Sequence, residues 1–116
     1  MNAPSSLRRY DAILKPVELK LMRSIINHVC KFYRADVSAV MSYSRQAGLI
    51  WPRHVAMAIA AANGFSSTTI ASSLNRERSV VSYAHKQVLN QCSVDKEVDR
   101  EVRKLAKEIK EKILKK

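Results

Sequence analysis

A chain of 116 residues, 47% of them hydrophobic, is one domain's worth of polypeptide, long enough to bury a core and too apolar to stay unfolded. Twenty-one Lys and Arg against ten Asp and Glu leave a net charge of +11, which points to a polyanion: DNA, RNA or an acidic membrane surface. Only two Gly and three Pro interrupt runs of Ala, Leu, Ile, Lys and Arg, so the class expected is all-helical; no run approaches 18 apolar residues and no signal-peptide core opens the chain, which excludes a membrane span or secretion.

In chain order, residues 1–15 read as a flexible leader with a small basic cluster at Arg8-Arg9. From Pro16 the spacing becomes helical. Val17, Leu21, Ile25, Val29 and Phe32/Tyr33 recur every three or four residues, and Met22 and Ile26 widen the stripe. Asp36 is placed to cap a short helix from Val37 to Met41. Ser42 to Ile50 reads as a polar loop carrying Arg45 and Gly48. Trp51-Pro52 is expected to start the third helix, because proline at the first helical position fixes φ and forfeits no hydrogen bond. Arg53 and His54 then fall in an open first turn, where unpaired N–H groups can accept a phosphate.

Asn63-Gly64 stops that helix. Ser66 or Ser67 caps a fourth helix that buries Ile70, Ala71 and Leu74. Asn75-Arg76 makes a turn, and a fifth helix starts at Glu77 or the residue before it. Val81, Ala84, Val88, Leu89 and Cys92 face inward, leaving Arg78, Ser79, Ser82 and Lys86 outside. Two short helices around a tight turn, with basic and polar side chains opening the second, suit a helix end in the major groove of DNA. Arg78 can hold guanine O6 and N7 bidentately, a contact of about 1–3 kcal/mol in discrimination, and Val80 can pack on a thymine methyl. Glu77 either accepts from cytosine N4 or caps the helix against its dipole.

Residues 93–116 form an amphipathic segment with an apolar stripe at Val98, Val102, Leu105, Ile109 and Ile113. It holds nine Lys/Arg and six Asp/Glu, or +3; the rest of the chain holds twelve against four, or +8, so the excess charge is not confined to a tail. The stripe either closes the bundle formed by residues 16–92 or pairs two protomers into a homodimer.

Several of these segments, taken in order, resemble the C-terminal DNA-binding domain of the bacterial replication initiator DnaA. The likeness runs from Val29 to Val88. It is carried by Val29-Cys30-Lys31-Phe32-Tyr33, by Val37 to Ser42 and by the loop with Arg45. It continues in Pro52-Arg53-His54-Val55-Ala56-Met57-Ala58, similar to the family's Pro-Arg-Gln-x-Ala-Met, and in Ile70-Ala71. It ends with Arg76-Glu77-Arg78-Ser79-Val80-Val81, similar to Gly-Gly-Arg-Asp-His-Thr-Thr-Val. The resemblance implies an all-α bundle of five to six helices containing a helix-turn-helix of the DnaA and Trp-repressor kind. It implies that Arg45 enters the minor groove, that Arg53 and His54 hold phosphate, that Glu77, Arg78 and Ser79 meet base edges and that Lys86 reaches the backbone. Ser67, Thr68, Arg76, Val80 and Ser82 complete the candidate surface. Asn75 stands where the family has a turn glycine, Arg78 where it has His and Val80 where it has Thr, so the family's sequence preference does not carry over.

The function expected is sequence-specific binding of double-stranded DNA in a cytoplasmic, nucleoid-associated protein that regulates replication initiation or transcription. No enzyme is expected. The three histidines are scattered, Cys30 and Cys92 belong to no CxxC pair, and the GxxxxGK[ST] loop of an ATPase is missing, so neither cofactor nor nucleotide is expected. The competing reading is a basic helical module that binds a protein or lies on a membrane surface.

Overall fold

The computed structural model describes residues 16–42 and 46–114. Among them are six helices and no strand. They are α1 (Pro16–Tyr33), α2 (Val37–Met41), α3 (Ala47–Ala62), α4 (Ser67–Ser73), α5 (Arg78–Val94) and α6 (Lys96–Lys112). The core is contiguous. Met22, Ile25, Ile26 and Val29 of α1 meet Val55, Met57 and Ile59 of α3, Ile70 of α4, Val81 and Val88 of α5, and Leu105 and Ile109 of α6. α3 is the central helix, and its closest partner is α5. Its run of Ala56, Ala58 and Ala60, all buried, lets neighbouring helices approach closely.

The helix starts follow local chemistry. Asp36 Oδ2 accepts from Ala39 N at 3.0 Å, Ser66 Oγ from Thr69 N at 3.1 Å, and Asp95 Oδ1 from Glu97 N at 2.9 Å. Three helices end in one motif, a residue in the left-handed region with a six-residue return bond behind it. Those residues are Arg34 (φ 56°), Gly64 (φ 86°) and Asn75 (φ 54°). The return bonds are Ala35 N to Cys30 O at 2.8 Å, Phe65 N to Ala60 O at 3.1 Å and Arg76 N to Ala71 O at 2.9 Å.

Three expectations are corrected: Leu89 of α5, expected to face inward, is 58% exposed, and the other two concern α3 and α1. The third helix starts at Ala47, not at Trp51-Pro52, so residues 47–50 of the expected 42–50 loop are helical. Pro52 stands at its sixth position, where it removes the donor that the Gly48 carbonyl would meet. Leu49, 8% exposed, anchors the added turn in the core. The stripe of α1 loses its first member: Met22, Ile25, Ile26 and Val29 are fully buried, whereas Val17, in the first turn, is 67% exposed.

α6 lies on α5 and α1. Leu105 and Ile109 are fully buried within the single chain, and Val98, Val102 and Ile113 are half-buried. His28 of α1 and Glu108 of α6 join across 80 residues of sequence, Nε2 to Oε1 at 2.8 Å. Of the i,i+4 pairs readable in the sequence, Asp99–Arg103 forms at 2.9 Å, while Glu108 turns instead to His28.

Candidate nucleic-acid interface

The turn of the helix-turn-helix is built from Leu74 to Glu77. Leu74 is fully buried and pins the turn to the core. Asn75 takes the left-handed backbone that asparagine tolerates better than most residues. Its side chain does a second job, donating from Nδ2 to Met41 O at 3.2 Å and so tying the turn to the end of α2.

Beyond the turn, α5 separates its faces. Val81, Ala84 and Val88 are buried, each at 2% exposure or less. Ser79, Ser82, Tyr83 and Lys86 are exposed and fall at i, i+3, i+4 and i+7, one stripe along the outer side. Arg78 is exposed at the first position of the helix, and Val80 is half-buried. Glu77 occupies the N-cap position, and its side chain makes no capping hydrogen bond. Among the described residues the ion pairs are His28–Glu108 and Asp99–Arg103, so Arg78 and Lys86 are not spent on internal carboxylates there. Ser67, at the start of α4, is exposed, and Thr68 beside it is half-buried.

Arg53 is not where the sequence put it. Because α3 starts at Ala47, Arg53 lies in the helix interior rather than in an open first turn, and it is 4% exposed. Its Nε donates to Val40 O at 2.9 Å, and its Nη2 lies 3.5 Å from both Ala39 O and Ser42 O. The guanidinium therefore serves the C-terminal carbonyls of α2, where the helix dipole places negative charge. Arg53 thus does not stand in the open first turn expected of it, and its guanidinium is engaged by these carbonyls. Burial first, and then the nearby positive charge of Arg76, push the Arg53 pKa down. Arg76 itself is half-buried and donates from Nη1 to Asn75 O at 3.0 Å.

His54, one residue on, points to the other side of α3 and reaches α5. Its ring meets that of Tyr83 edge-to-face, with centroids 5.9 Å apart. Burial and the Arg53 charge both lower its pKa, which keeps the imidazole neutral at pH 7. Arg45 lies outside the described residues.

The structure thus brings Arg78, Ser79, Ser82 and Lys86 onto one helix, sets His54 against that helix and takes Arg53 inward. Tyr83 was missed in the sequence. It is 57% exposed on the outer stripe, at the edge nearest α3, and its spacing of four from Ser79 was the available signal. Among the described residues no group of three or more His, Cys, Asp or Glu is arranged to hold a metal ion. Cys30 is buried and Cys92 half-buried, both as free thiols with pKa values raised by burial, which makes them poor nucleophiles. No helix among the described residues is long and apolar enough to cross a membrane.

A family model described as the bacterial DnaA protein helix-turn-helix matches residues 22–88. The chromosomal replication initiator protein DnaA of Bacteroides fragilis (strain YCH46) is 38% identical over 74 residues. That stretch covers 62% of this chain and 16% of the relative, so the similarity concerns a small part of the larger protein.

Proposed function

The chain belongs to the bacterial DnaA helix-turn-helix family, and from that premise we propose that it binds double-stranded DNA with α5 in the major groove. One observation carries the reading. α5 buries Val81, Ala84 and Val88 and turns Arg78, Ser79, Ser82 and Lys86 outward, behind a turn pinned by Leu74, in a chain of net charge +11.

In this reading Arg78 and Ser79 meet base edges, Glu77 accepts from an exposed cytosine amine, and Val80 borders a thymine. Lys86, His54, Ser67 and Thr68 lie along the phosphate backbone, and Arg76 closes the turn beside it. Arg45 is assigned to the adjacent minor groove on the resemblance alone. Binding is sequence-specific, and the process served is control of replication initiation or of transcription at the nucleoid. The relative's name connects that protein to initiation, and the present chain, which carries no GxxxxGK[ST] loop of its own, matches 16% of it.

Selection from a random duplex pool, followed by a salt titration on the winning site, tests the proposal. A consensus should emerge, and log K should fall linearly with log salt as phosphate contacts release counterions. Retention of no duplex, with uptake by acidic vesicles instead, would move the chain to the membrane-surface class.

A further inference from the structure

We propose that Tyr83 is a specificity-determining residue of the duplex contact, its ring packing on the C5 methyl of a thymine in the major groove. The proposal rests on the reading of α5 as the groove-entering helix and goes beyond the residues assigned above. Three observations meet at this side chain. Folding does not need it: the inward face of α5 is complete with Val81, Ala84 and Val88, and Tyr83 is left 57% exposed. Its neighbours on the outer stripe, Ser79 and Ser82, are short and cannot overtop the ring. The ring is also held, because His54 of α3 meets it edge-to-face at 5.9 Å with an interplanar angle of 81°.

An aromatic ring of fixed position, one turn from the start of a helix that enters the groove, presents an apolar surface at the depth of base edges. In the major groove the apolar group on offer is the thymine methyl. A phosphate is the weaker match for this position, since Lys86 three residues on already supplies a positive charge on the same stripe. His54 acts here as a positioning residue, holding the ring rather than touching the base.

The selected duplex, remade with deoxyuridine for each thymine in turn, loses only a methyl at each step. The wild-type chain should lose about three- to fivefold in affinity at one or two positions, the worth of one buried methyl. Tyr83→Ala should become indifferent to the methyl at one of these positions, any sensitivity left belonging to the thymine beside Val80, and Tyr83→Phe should discriminate as the wild type does. Equal methyl sensitivity in Tyr83→Ala, or none in the wild type, overturns the proposal while leaving DNA binding intact. Loss of discrimination in Tyr83→Phe overturns it too, by giving the role to the hydroxyl. A wild-type chain that holds no duplex at all removes the underlying reading instead.

Discussion

Arg78 and Lys86 differ in what their side chains can do at a duplex. Arg78 carries a planar fork that matches guanine, and it opens α5; Lys86 is a point charge two turns further along. Arg78→Ala should therefore relax the selected consensus at one position, by about 1–3 kcal/mol. Lys86→Ala should weaken all duplexes evenly and reduce the salt slope by about 0.9. Binding of each variant to the selected and scrambled duplexes separates the two outcomes. Arg53 belongs to the fold. Replacing it with Met leaves the carbonyls of Ala39, Val40 and Ser42 without this donor in a buried place, a cost of about 2–3 kcal/mol by denaturant melt. His54 gives stability a pH dependence. Its folded pKa lies below the ordinary imidazole value of about 6.5, so the unfolded chain binds more protons as pH falls. Its contribution is whole above that value and is lost as pH drops through the depressed folded one. Thermal melts between about pH 7.5 and 5.5, the range in which imidazole titrates, should fall less steeply for His54→Gln than for wild type.

Among the helices, the ends are the most chemically specified parts. Three close on left-handed residues, and only one of these, Gly64, is a glycine. Asn75 is the next most tolerant choice and uses its amide to hold α2. Arg34 is neither, and its exposed side chain makes no compensating contact among the described residues. Arg34→Gly should therefore raise stability by about 1 kcal/mol, an upward shift of several degrees in a thermal melt. α6 offers the opposite case. Leu105→Ala should cost about 2–5 kcal/mol, because its side chain is fully enclosed between helices of one chain. Sedimentation of Val102→Glu decides the remaining use of the stripe. Loss of folding fits a bundle-closing helix, while a folded monomer derived from a wild-type dimer would assign the stripe to pairing.

For the molecule as a whole, the sequence made the helical class, the helix-turn-helix and the outer face of α5 legible, because those follow from periodicity and turn residues close in sequence. What it hid depends on contacts across space. The fate of Arg53 is set by carbonyls 11 to 14 residues away, in a helix interior that exists there because α3 starts five residues earlier than Pro52 suggests. No rule of spacing pairs His28 with Glu108. Arg34 in a left-handed turn could not be foreseen either, since the residue is not one that favours it. Tyr83 lay within reach of the helical repeat, but an aromatic residue in an amphipathic helix is more often packed inside than left facing water.

The excess positive charge follows the same division. It is spread over α1, α5 and α6, and only on α5 does it adjoin a tight turn and an outer stripe of short polar side chains. The most direct test is therefore a map of the bound surface: backbone amide shifts of the labelled chain, titrated with the selected duplex. The largest shifts should fall at Ser67, Thr68 and residues 76–90, with His54 beside them. Shifts confined to the outer faces of α1 and α6, with α5 unmoved, would contradict the placing of α5 in the groove.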